Sequence, residues 1–164
     1  MLFYCTMTNS KLNNWLIEGI SSLLILLFVY TGVSKLNEPD TFRAVISQTP
    51  LIGLYSNLIS LLLPLIELST GLLLFFPFTR KWGLLIALTL MILFTGYIGY
   101  MILVMPHLPC SCGGVLKQMT WGQHLLFNIC FIALTTTAVC LYQKNQVFIA
   151  INRASRTPAK NSRH

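Results

Sequence analysis

The chain has 164 residues, 55% of them hydrophobic and only 9% charged, with a formal net charge of +7. Soluble domains carry roughly 25% charged residues, so this composition excludes a chain that covers itself with a water-facing surface. A helix crosses a bilayer with about 20 apolar residues; four such stretches fit here with short connections, which leaves no room for a second folded domain.

In chain order, residues 1–14 form an amino-terminal segment ahead of a first span of roughly Trp15 to Val33. Its apolar run is too long for a cleaved signal peptide, and no small-x-small cleavage site follows, so it reads as an anchor. Residues 34–50 are polar, with Lys35, Glu38, Pro39, Asp40 and Arg43. Asp40 or Thr41 could cap a short interfacial helix there. A second span runs from about Leu51 to Phe76, interrupted by Pro64, and a tight turn of Pro77, Arg80 and Lys81 follows. The third span is about Trp82 to Val104. Then comes Pro106-His107-Leu108-Pro109-Cys110-Ser111-Cys112-Gly113-Gly114, and a fourth span of about Trp121 to Tyr142. Residues 143–164 form a basic tail with the composition of a disordered segment. The expected fold is therefore all-α: an integral membrane four-helix bundle over residues 15–142.

The positive charge sits where a membrane surface explains it and a nucleic acid does not. With the amino terminus inside, inner segments hold Lys11, Arg80, Lys81, Lys144, Arg153, Arg156, Lys160 and Arg163, against Lys35, Arg43 and Lys117 outside. Eight against three gives both termini a cytoplasmic location, with the tail near anionic lipid heads. The cysteine loop then lies outside the cytoplasm.

Cys110-Ser111-Cys112 supports two chemistries. Outside the cytoplasm neighbouring thiols oxidise, and a ring closed across one residue has strained geometry. Strained, exposed disulfides are the labile, catalytic kind. Gly113 and Gly114 let the backbone turn and admit a partner. Alternatively the thiolates hold a soft metal, with His107 or His124 as added ligands. A pair of unreactive loop cysteines is the third reading. Cys130 and Cys140, in or at the end of the fourth span, read as small packed apolar residues.

Glu67 falls near mid-bilayer. An ionisable group there is costly and demands a partner. Pro64 frees the Ser60 carbonyl, and Ser60, Pro64, Glu67 and Gly71 share one small, polar face suited to helix packing. Glu67 is thus either structural glue between helices or part of a site. Lys35 reads as an anchor snorkelling to the outer interface, and Trp15, Trp82 and Trp121 as interfacial anchors. His124, about one turn into the fourth span, could tune a thiol or relay a proton, or simply sit at the interface.

Together the Pro64-x-x-Glu67-x-x-x-Gly71 stripe, the Cys110-Ser111-Cys112-Gly113 loop, Thr31-Gly32-Val33-Ser34-Lys35-Leu36 and Phe42 resemble the MauE/DoxX family of redox-associated membrane proteins, with the MauE branch closer. The resemblance covers residues 15–142. It departs at Gly113, where that family pattern has an aromatic residue. It implies a helper in methylamine utilisation, maturing the disulfide-rich small subunit of methylamine dehydrogenase beside an extracytoplasmic thioredoxin-like partner. Cys110 and Cys112 would be the exchanging pair of a thiol–disulfide oxidoreductase component in the bacterial inner membrane, with Glu67, His124 and His107 in support. No cofactor motif is present; a quinone or a cytoplasmic thiol relay could supply the electrons. The rival readings are a soft-metal transporter and a structural subunit of a larger membrane complex.

Overall fold

The computed structural model of the chain describes residues 10–47, 53–104 and 120–156. Among these residues every regular element is helical. Helix α1 spans Ser10–Asn37, α2 Pro39–Ser47, α3 Ser56–Phe75, α4 Arg80–Val104 and α5 Trp121–Arg156, with a short 3-10 turn at Gly53–Tyr55 ahead of α3. Four helical stretches are long and apolar enough to cross a bilayer: Leu12–Asn37, Gly53–Phe75 (the 3-10 turn together with α3), Arg80–Leu103 and Gly122–Val147. Their outer faces carry exposed Leu26, Leu61, Leu72, Leu93 and Leu126. An apolar surface so continuous is an aggregation liability in water and the normal exterior of a protein in lipid.

The long helices close a ring: α1 packs on α3, α3 on α4, α4 on α5, and α5 returns to α1. Leu24, Leu27 and Phe28 of α1, Leu74 of α3, Leu84, Ala87, Leu90 and Met91 of α4, and Phe131 and Ala138 of α5 fill the middle. Small residues set the close approaches. A Cβ on Gly32 would stand 3.0 Å from Leu68 Cγ and 3.3 Å from the Pro64 carbonyl oxygen, and one on Gly83 only 2.9 Å from the Leu74 backbone nitrogen. Several hydroxyls inside the spans are satisfied locally. Thr70, Thr95 and Thr135 each donate to the carbonyl four residues back, all at 2.7 Å, a local bond open to a hydroxyl on a helix, whereas the buried Ser21 Oγ has no partner among the described residues.

Helix α3 runs unbroken through Pro64; neighbouring helices support a proline in a membrane helix that would break one in water. Pro64, Glu67 and Gly71 are buried and Ser60 half-buried, so the expected stripe does face the bundle. Helix α2 begins at Pro39, one residue before the expected cap, because proline's fixed φ suits the first helical position and its missing N–H costs nothing there. It buries Phe42 and Ile46, one turn apart, and packs chiefly on α3.

Two expectations are corrected. The last helix does not end near Tyr142 in a disordered tail but continues to Arg156. Residues 143–156 contain neither proline nor glycine, and Asn145 Nδ2 donates to Asn14 Oδ1 at 2.7 Å, joining the extension to α1. Cys130 and Cys140 are exposed on the outside of α5 and are not packed within the bundle. Their positions on the helix point them away from Phe131, Ala138 and Leu141, which form its buried side.

Candidate functional site

The second halves of α1 and α4 and the first halves of α3 and α5 meet at one end of the bundle, where α2 packs across α3. They enclose a cavity of about 310 Å³. Its walls are largely apolar, including Phe28, Phe42, Met91, Phe94 and Phe127, and its polar groups are few: Thr31 and Lys35 from α1, Glu67 from α3, Tyr97 from α4, His124 and Asn128 from α5.

Lys35 and Glu67 form an ion pair inside the bundle. Lys35 Nζ donates to Glu67 Oε1 at 2.6 Å and Oε2 at 2.9 Å. Lys35 is 6% exposed and Glu67 fully buried. The Phe42 and Phe94 rings each present their centroid 5.6 Å from Nζ, one from α2 and one from α4, and aromatic faces attract a cation that has left water. The pair as a whole is neutral, which is the form in which charges are tolerated at membrane depth. This corrects the reading of Lys35 as an anchor at the outer interface. The residue lies close to the end of α1, but Phe42 of α2 lies over it, and its ammonium turns inward to Glu67.

The start of α5 fixes the remaining polar groups. Gln123 N–H donates to Thr120 Oγ1 at 3.3 Å, and Thr120 N–H donates to Gln123 Oε1 at 3.0 Å. This reciprocal capping box anchors the first turn and thereby sets His124 and Asn128, one helical turn apart, on the side facing α1 and α4. Both are buried, at 5% and 4% exposure. His124 Nδ1 and Asn128 Nδ2 have no hydrogen-bond partner among the described residues. Buried polar nitrogens left unpaired are uncommon and costly, and these two lie on the wall of one cavity.

Of the residues singled out from sequence, Glu67 and His124 are therefore brought to one cavity. Cys110, Cys112 and His107 lie outside the described residues, as does Cys5. Their segment, 105–119, joins the end of α4 to the start of α5. Sequence reasoning missed Asn128 and the pairing role of Lys35. A signal was present for Asn128, which follows His124 by four and so shares its helix face; for Lys35, at the edge of an apolar run, there was none.

The sequence matches, over residues 13–143, the family described as methylamine utilisation protein MauE. The chain belongs to the MauE family. No curated protein and no solved structure matches it. The matched MauE region runs from the first buried residue of α1, Asn13, to just past the expected end of the fourth span, so it contains all the polar residues of the cavity as well as the cysteine pair.

Proposed function

We propose that this member of the MauE family is a membrane thiol–disulfide protein in which Cys110 and Cys112 exchange electrons with an extracytoplasmic thioredoxin-like partner. Its role would be the maturation of disulfide-containing clients in methylamine utilisation. The observation that carries the reading is the family match across residues 13–143, which takes in the Cys110-Ser111-Cys112 motif. The orientation rests on the positive-inside bias, and that bias sharpens once Lys35 is removed from the outer count as a buried ion-pair partner. A bacterial plasma-membrane location follows from the same reading.

The exchange is a pair of displacements. The thiolate of one cysteine attacks a sulfur of the partner's disulfide; an S–S bond forms between the two proteins, and the partner's second sulfur leaves as a thiolate. The other cysteine of the pair then attacks the shared bond, closing Cys110–Cys112 and releasing the partner as a dithiol. Two electrons pass to the partner, and the reverse sequence returns them. Cys110, further from the glycines, is assigned as the attacking residue.

Equilibration of the full chain in lipid with thiol–disulfide buffers of graded potential tests this. Maleimide mass-tagging should show Cys110 and Cys112 lost together in one two-electron transition. Two thiols that titrate independently, or never oxidise, contradict it.

A further inference from the structure

We propose that the cavity between α1, α3, α4 and α5 binds the head group of a lipid-soluble para-quinone. Four observations define the occupant. At about 310 Å³ the cavity stands at the small end of ligand sites, which run from about 300 to 1,000 Å³. Leu93 lines it and is also 61% exposed on the outside of α4, so the space reaches the lipid-facing surface. An occupant can therefore enter from the membrane and leave an apolar tail there.

The polar groups then restrict the head. Both carboxylate oxygens of Glu67 already accept from Lys35, so the pair makes no net demand for charge, and an anionic lipid head finds no unmatched cation. The Asn128 Nδ2 amide, buried and without a partner among the described residues, can only donate. His124 Nδ1, one turn away, donates in one of its two tautomers. The cavity thus calls for a neutral molecule that offers acceptors. Phe28, Phe94 and Phe127 among its walls favour a flat ring against which aromatic faces pack. A lipid-soluble para-quinone is a neutral, flat, tail-bearing ring with carbonyl oxygens and meets each of these requirements.

Resting on the thiol–disulfide reading above, such a quinone would reoxidise the cysteine pair after the reverse sequence, in which the partner is oxidised, has left it as a dithiol. The Cys110 and Cys112 dithiol would give up two electrons and two protons as its S–S bond forms. The quinone would take up both, its two carbonyls becoming the two hydroxyls of the hydroquinone. Binding in the cavity and exchange at the cysteines are read by separate measurements, so either can fail alone.

The test is a calorimetric titration of the full chain, in nanodiscs of defined phospholipid, with a decyl-tailed dimethoxy-methyl-1,4-benzoquinone. Saturable uptake is expected, beyond the linear partition seen in protein-free nanodiscs. The same decyl-tailed ring lacking its two carbonyl oxygens should not compete. Asn128→Leu, which removes the donor, should weaken binding by about tenfold. Leu93→Trp, at the lipid-facing rim where a larger apolar side chain is accommodated, should obstruct the space and abolish saturable uptake at an unchanged melting temperature. Linear uptake by the wild-type chain overturns the proposal, as does equal competition by the carbonyl-free ring. So does undiminished binding to a folded Asn128→Leu or Leu93→Trp variant.

Discussion

Lys35 Nζ lies 2.6 and 2.9 Å from the two carboxylate oxygens of Glu67, joining α1 to α3 inside the bundle. Removing either partner leaves an uncompensated charge at membrane depth. Breaking a buried pair from one side costs about 3–5 kcal/mol, whereas replacing both partners by apolar residues of similar volume is often neutral. Lys35→Met and Glu67→Leu should each therefore lower stability in a reversible unfolding titration by about that amount. The double variant should recover most of the loss. Glu67→Gln should also be destabilising, since glutamine keeps the shape of the acid but not the charge that matches Lys35. Single variants as stable as the parent would show that the pair does not join the helices energetically.

A second expectation concerns glycine. At Gly83 an added Cβ meets the backbone of α3, 2.9 Å from the Leu74 nitrogen and 3.0 Å from the Leu73 carbonyl carbon. Backbone cannot rotate aside, so Gly83→Ala should force α3 and α4 apart and cost about 1–3 kcal/mol, the usual range for overpacking. At Gly96 an added Cβ meets nothing within 4 Å, and Gly96→Ala should instead be neutral or stabilising by up to about 1 kcal/mol. Thermal unfolding of the two variants side by side checks the contrast.

The sequence carried the gross architecture because membrane-spanning helices announce themselves by length and apolarity alone. Trp82 to Val104 was placed within two residues of α4, and the Pro64–Glu67–Gly71 face was read correctly from spacing. What escaped was everything decided by how one helix meets another. Lys35 sits at the edge of an apolar run, where snorkelling and burial give the same local pattern; only the fold of α2 across that end decides between them. Asn128 looked like an ordinary residue of the fourth span until α1 and α4 closed around it. The extension of α5 beyond Tyr142 was hidden by its polarity, although no helix breaker occurs before Pro158. Cys130 and Cys140 show the converse. A small apolar residue in lipid has no need of the core, so membership of a span does not predict burial.

The capping box at the start of α5 gives a third expectation. Thr120→Ala removes the hydroxyl that accepts from Gln123 N–H at 3.3 Å, and loss of such a cap costs about 1 kcal/mol. Because His124 lies in that first turn, the variant should also disorder the imidazole. A broadened His124 ring resonance in the magnetic resonance spectrum of the full chain in nanodiscs would mark it. An unchanged resonance would mean that packing alone holds the histidine.

Cysteine labelling tests the arrangement across the membrane. A membrane-impermeant maleimide applied to intact cells after mild reduction should label Cys110 or Cys112. Cys130 and Cys140, exposed on α5 within the apolar span, should react only with an apolar, lipid-soluble reagent. Labelling of the loop pair that requires access to the cytoplasmic face would reverse the orientation and remove the extracytoplasmic partner.

The central claim, that Cys110 and Cys112 exchange disulfides with a thioredoxin-like protein, is tested most directly by trapping. Replacing the resolving cysteine by serine lets the attacking thiolate form the mixed disulfide but not release it. With Cys110 as the attacking residue, Cys112→Ser should accumulate a higher-mass species that disappears on reduction and contains an extracytoplasmic thioredoxin-like protein. Cys110→Ser should give none. Absence of such a species in both single variants, together with intact function in the doubly substituted chain, would contradict the claim.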